Sequence, residues 1–225
     1  MDRSGPLRPG YAAELEQLRL QVEVMAIRVD QNLERTRRVL ATGDPAAADA
    51  ALVADDEIDA MSVSLTERCY DLLAREQPVA GDLRFVVSVL RVLGEFERVG
   101  DLALRVAKLA PHHSTLTANP DTFEILEAMA DTAIDRYRQA MSAWAGPSAE
   151  AAEFLLATPS LTQHLEERLT RELIALRGSD AAATAVHSLV AGKSFERIAD
   201  HADIIAVRLL FLVTGDAGHL AHEVR

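Results

Sequence analysis

Phe96-Glu97-Arg98-Val99-Gly100-Asp101-Leu102-Ala103 returns 99 residues later as Phe195-Glu196-Arg197-Ile198-Ala199-Asp200-His201-Ala202. Phe, Glu, Arg, Asp and the closing Ala are identical, and Val to Ile is conservative. Two copies separated by nearly half the chain mark an internal duplication, not a stacked array of short repeats. Each half is therefore expected to be built around one acidic helix.

The spacing inside the motif has a geometric meaning. Residues four apart on an α-helix lie about 40° apart around its axis. Glu97 and Asp101 thus share a direction, and so do Glu196 and Asp200. Acids normally occupy the solvated face opposite the apolar stripe. Here the first pair shares its azimuth with Val86, Leu90, Leu93 and Leu104. The second shares it with Ala185, Leu189, Val207 and Leu210. The expectation is that these carboxylates turn inward.

Outward from the motifs, the rest of the chain reads as helix separated by breakers. Residues 1–10, with Pro6, Pro9 and Gly10, read as a loose lead-in. Leu15, Leu18, Val22, Met25, Val29, Leu33 and Leu40 give the three-four alternation of a long amphipathic helix starting at Tyr11. Thr42-Gly43-Asp44-Pro45 stops it and restarts the chain. A second helix is predicted over residues 45–75, broken by Gln77-Pro78, and a third over residues 79–109. The run from Pro111 to Pro120 is the main boundary, with Asp121 or Thr122 as the next cap. A fourth helix should end at Gly146-Pro147. A fifth should span residues 148–176 with Thr158-Pro159 as its weak point. The sixth should run from the Gly178-Ser179-Asp180 turn to Val213, followed by a polar tail. No β alternation is evident. The predicted fold is all-α: two tandem three-helix bundles, over residues 11–110 and 121–215, with short turns making neighbours antiparallel.

Composition narrows the function. With 23 Lys and Arg against 35 Asp and Glu, the formal charge is −12. A nucleic-acid binder needs a basic face, so that class is not expected. Cys69 is the sole cysteine, so no intramolecular disulfide can form. Met1 to Pro6 lacks the apolar core of a signal peptide. The apolar run from Ile204 to Val213 contains Arg208 and is too short to span a bilayer. A soluble, cytoplasmic protein without membrane insertion is expected.

The acidic motifs admit two readings. One is local ion pairing, Arg98 with Asp101 and Arg197 with Asp200. The other is a carboxylate cluster holding a cation, since Glu and Asp oxygens suit Mg, Ca and Mn, and iron or zinc with waters. A four-spaced pair cannot complete a coordination shell, but a second acidic helix beside it could. Asp55 and Asp59 offer one in the first half. In the second half the counterpart is Glu166, with Thr162 at the four-before position. Asp82, in a first helical turn, is better explained by the macrodipole than by ligation.

Several enzyme signatures are missing. Gly192-Lys193-Ser194 resembles the end of a phosphate loop, but His187 stands where the first Gly is required and the segment reads as mid-helix. Neither His-Glu-x-x-His nor Glu-x-x-His occurs, which removes the usual di-iron bundle ligands. His112-His113 reads as a linker, His219 and His222 as tail residues. Met25, Met129 and Met141 fit core packing. A carboxylate-metal hydrolase or oxidase stands as the alternative function class.

Asp82-Leu83-Arg84 after a Pro turn, Glu97-Arg98-x-Gly100-Asp101, and later Glu196-Arg197-Ile198-x-Asp200-His201 together resemble the PhoU family of phosphate-transport regulators. The resemblance covers about residues 11–215. It implies two three-helix repeats and, as in some family members, multinuclear iron or zinc on the acidic motifs. By resemblance the ligands are Asp55, Asp59, Glu97 and Asp101 in the first half, and Glu166, Glu196 and Asp200 in the second. Thr162 replaces an expected acid and Ala199 replaces the motif Gly. Ile204 and Val207 stand where the family often has Asn and Glu. The implied role is that of a non-enzymatic adaptor, a homodimer linking a phosphate importer's ATPase to a sensor histidine kinase. It would keep the phosphate-starvation response off when phosphate is plentiful.

Overall fold

Gly43 ends the first helix by adopting φ +66° and giving its N–H to the carbonyl of Val39 at 2.8 Å. This left-handed conformation is one that a residue without Cβ adopts at no steric cost. Asp44 then caps the next helix, its Oδ1 accepting from the Ala46 N–H at 2.9 Å, with Pro45 pre-set at the first helical position. The structure, a computed structural model, describes residues 9–223. It contains α1 (Pro9–Thr42), α2 (Pro45–Glu76) and α3 (Ala80–Ala107). A 3-10 turn (Ala110–His112) and the single-turn α4 (His113–Leu116) lead to α5 (Pro120–Ala145). There follow α6 (Ala149–Ala157), α7 (Leu161–Ala175), α8 (Ala181–Thr214) and a closing 3-10 turn (Ala217–Glu223).

Local chemistry explains where these boundaries differ from the sequence expectation. The predicted fifth helix is two helices, α6 and α7. Pro159 forces Thr158 into an extended conformation, and Ser160 starts α7 by accepting from the Thr162 N–H. The freed carbonyl of Thr158 accepts from Arg136 Nη1 at 2.8 Å. The cap of α5 is Asn119, whose Oδ1 accepts from the Thr122 N–H at 2.9 Å, not Asp121 or Thr122. Of the expected polar tail, residues 217–223 form the closing 3-10 turn in contact with α8, and residues 224–225 lie outside the described residues. Of the expected lead-in, residues 1–8 lie outside the described residues, and Pro9 and Gly10 already belong to α1.

α1, α2 and α3 pack on one another as one bundle; α5, the α6–α7 pair and α8 form the second. The halves lie side by side, α3 along α8 and α1 along α5. Three contacts fix α3 and the following linker antiparallel to α8. Arg84 meets Gly215, Glu95 meets His201, and Thr184 Oγ1 donates to the carbonyl of Thr115. Among the described residues there is no strand, and no helix is long and apolar enough to cross a membrane.

One continuous apolar core runs through both bundles, including Leu18, Met25, Ile58, Leu126 and Met129. The aromatic residues that open the two motif copies, Phe96 and Phe195, are both fully buried in it. Truncating either to Ala would cost about 3–5 kcal/mol. Phe96 meets Tyr137 edge-on, with ring centroids 6.3 Å apart, and the Tyr137 hydroxyl donates to the carbonyl of Ala26 across the α1–α5 seam at 3.0 Å. On the rim of that seam Arg138 binds both Asp30 and Glu34 at 2.6 Å.

Candidate functional site

The first acidic cluster is assembled where α2 and α3 meet. Asp55 of α2 is only 5 % exposed, and its Oδ1 has no hydrogen-bond partner. It approaches the α3 backbone at Gly100, where an added Cβ would lie 2.7 Å from that oxygen. Gly100 is therefore what allows the close approach. Asp59, one turn further along α2, and Asp101, next to Gly100, are exposed. Burial pushes the Asp55 carboxyl up to about 6, with further increments from the charges of Asp59, Asp101 and Asp56 and a partial offset from Lys108. The Asp59 carboxyl is raised for the same reasons, burial first and then Asp101 and Asp56. Three candidate acids thus feel one another's charge. Glu97, a turn earlier on α3, is exposed.

The motif acids do not point into the core. Glu97, Asp101 and Asp200 are exposed and Glu196 is half-buried. Sharing an azimuth with Val86 and Leu93 misled because α3 packs on α1, α2 and α8 at once, which covers apolar residues well off its main stripe. Leu90 and Leu104, on the same line, are only half-buried. Nor do the motif ion pairs form: Arg98 and Arg197 are exposed, and among the described residues neither closes on Asp101 or Asp200.

The second cluster is built differently. Lys193 Nζ lies 3.1 Å from Glu166 Oε1 and 2.8 Å from Glu196 Oε2, clamping α7 to α8. Thr170 Oγ1 also donates to Glu166 Oε1 at 3.1 Å. Asp200 is raised by burial, then by Glu196 and Asp203. Asp203 has a partner of its own, Arg136 Nε at 2.7 Å. Thr162 is buried in the capping turn of α7, its Oγ1 2.6 Å from Ser160 Oγ.

Among the described residues, no three His, Cys, Asp or Glu side chains converge on one point as they stand. The two clusters nevertheless differ in what they fit. The first has hard oxygen donors, with a buried orphan oxygen on Asp55 and the exposed carboxylates of Asp59 and Asp101 on the same pair of helices. That donor set suits a divalent cation. In the second, a protein ammonium already stands between the carboxylates.

Other motif residues have structural tasks. Asp82 is in the first turn of α3, where the macrodipole favours it, and lies beside Tyr11. Burial and then the Asp82 charge push the Tyr11 hydroxyl up to about 12. Arg84 lies over the C-terminal end of α8 at Gly215, where a cation is favoured. His112 stacks on His187 at 4.1 Å, and His113 packs edge-on against Phe123, so the linker histidines are part of the packing.

Sequence reasoning missed three polar pairings: Glu95 with His201, Arg136 with Asp203, and the Lys193 clamp. Lys193 carried a readable signal, standing three residues before Glu196. The other two join helices far apart in the chain, and no local spacing announces them.

The PhoU domain model matches residues 22–110 and 126–209. A phosphate-specific transport system accessory protein PhoU homolog from Pseudomonas aeruginosa is 28% identical over 213 residues, covering 93% of this chain and 88% of that protein. The PhoU homolog 2 of Mycobacterium tuberculosis is 28% identical over 210 residues, covering 93% and 99%. The crystal structure of PhoU from Pseudomonas aeruginosa superimposes with a TM-score of 0.86 at 27% identity, over 92% of this chain and all of that one. Two matched domains on one duplicated helical scaffold place this chain in the PhoU family.

Proposed function

We propose that this protein is an accessory regulator of phosphate transport that works through protein contacts, not catalysis. The observation that carries the reading is agreement across both repeats with proteins named phosphate-specific transport system accessory protein. Long, rigid helical faces and a charge of −12 suit docking to partners with basic surfaces. The partners in this reading are the ATPase of a phosphate importer and a sensor histidine kinase. The protein represses the starvation response as a cytoplasmic homodimer.

The α2–α3 cluster is the proposed cation site, with Asp55, Asp59, Asp101 and Glu97 as donors. A bound divalent ion, iron, zinc, Mg or Mn, would offset the repulsion among Asp55, Asp59 and Asp101. Asp55 would supply a buried oxygen, and Asp59, Asp101 and Glu97 would supply exposed ones. The ion would tie α2 to α3 and stiffen the first bundle.

Affinity capture from phosphate-replete native cells, with elemental analysis of the same sample, tests the reading. The reading expects a transporter ATPase or a sensor kinase in the eluate. Reproducible capture of neither would contradict it.

A further inference from the structure

The two halves handle the same electrostatic problem in different ways. The duplication offset of 99 residues places Lys193 opposite Gly94. Gly94 has open space where a side chain would begin. No ammonium can reach the first cluster from that position, and Asp55 keeps an unpartnered oxygen. In the second half the corresponding side chain bridges Glu166 and Glu196 at 3.1 and 2.8 Å. The helix-approach glycine has also changed, since the counterpart of Gly100 is Ala199, itself buried.

We infer that the second acidic cluster supplies its own cation, the Lys193 ammonium, and takes no metal ion, so that on the reading proposed above the α2–α3 cluster is left as the cation site. An ammonium between two carboxylates satisfies them with charge-assisted hydrogen bonds. A divalent ion entering there would have to displace Lys193 and overcome its positive charge. The ammonium is what keeps an ion out, because Glu166, Glu196 and the exposed Asp200 remain as carboxylates once Lys193 is removed. Asp203 is committed to Arg136, and Thr162, where a further acid would be needed, is turned into the α7 cap. The family's metal arrangement therefore does not fit the second half of this chain.

The test is a Mn2+ titration of the full-length protein, followed by calorimetry and by EPR of free Mn2+. The proteins compared are the unmodified chain, Glu196→Gln, Lys193→Met and the Lys193→Met/Glu196→Gln double variant. Uptake by the unmodified chain and by Glu196→Gln should coincide within about twofold. Lys193→Met, freed of its ammonium, should take up one further Mn2+, and the double variant should lose that gain. Reduced uptake in Glu196→Gln would overturn the inference, as would a Lys193→Met protein that takes no more Mn2+ than the unmodified chain. An unmodified chain that binds no Mn2+ at all would sink the proposed α2–α3 site while agreeing with a metal-free second cluster.

Discussion

Glu95 Oε2 and His201 Nδ1 lie 2.6 Å apart in the seam between α3 and α8, with the Glu95 side chain wholly buried and that of His201 11 % exposed. Arg91 reaches the other carboxylate oxygen at 3.2 Å. By the duplication offset, the equivalent positions are Ser194 and Leu102. The pair therefore breaks the internal symmetry and ties the two bundles together at one buried point.

Removing one member of this pair should cost much more than replacing both. His201→Leu leaves a buried carboxylate held only by Arg91, a loss of about 3 kcal/mol. Glu95→Leu with His201→Leu replaces both groups by apolar side chains of similar volume and should cost no more than about 1 kcal/mol. Urea unfolding of the two variants measures the difference. A double variant as unstable as the single would show that packing, not charge, sets the cost.

Gly100→Ala should disturb Asp55 more than it disturbs the fold. Ala favours a helix over Gly by about 1 kcal/mol, while the new Cβ must push Asp55 Oδ1 away from a 2.7 Å contact. Net stability should change by less than about 1 kcal/mol. The Asp55 carboxyl, moved toward water, should titrate below its midpoint of about 6. Carbon NMR of the carboxyl reads this directly. An unmoved midpoint would mean that the approach of α3 does not hold Asp55 in place.

Asp55 also makes stability pH-dependent in metal-free protein. Its folded pKa of about 6 lies above the ordinary 3.8, so the folded chain holds this proton more tightly than the unfolded chain. The associated stability is full below about pH 4 and is lost as pH rises through 6. Asp55→Asn should therefore be more stable than the parent by about 1–2 kcal/mol at pH 7.5, allowing for partial solvation. The gain should vanish at pH 4. Thermal melts across that range check the sign; a variant no more stable at pH 7.5 than at pH 4, relative to the parent, would refute it.

Gly43→Ala should destabilise the first bundle by about 2 kcal/mol. Its φ of +66° alone costs an L-residue about 1–2 kcal/mol. The new Cβ would also stand 2.6 Å from His113 Cβ. Measured against His113→Gly alone, which already lacks the clashing side chain and its packing on Phe123, Gly43→Ala should cost only the backbone part, a difference that denaturant unfolding resolves.

The all-helical fold was legible because the apolar periodicity of α1, α3, α5 and α8 spans many turns, and Gly43, Pro78 and Gly215 punctuate it. The halving was legible in the repeated motif. The direction of the acids was not. An azimuth shared with buried Val86 and Leu93 carries no information when a helix has three neighbours. The mutual charge influence of Asp55, Asp59 and Asp101 follows from the packing of α2 on α3, which the short turn at Gln77-Pro78 announces. The role of Lys193 was hidden by its setting in Gly192-Lys193-Ser194, which drew attention to a phosphate loop the helix cannot form.

Expression of the phosphate-uptake genes in phosphate-replete cells, with and without this chain, measures the regulatory claim most directly. The account predicts that deletion raises expression several-fold and that the intact gene restores repression. Expression that stays at its repressed level after deletion would contradict it.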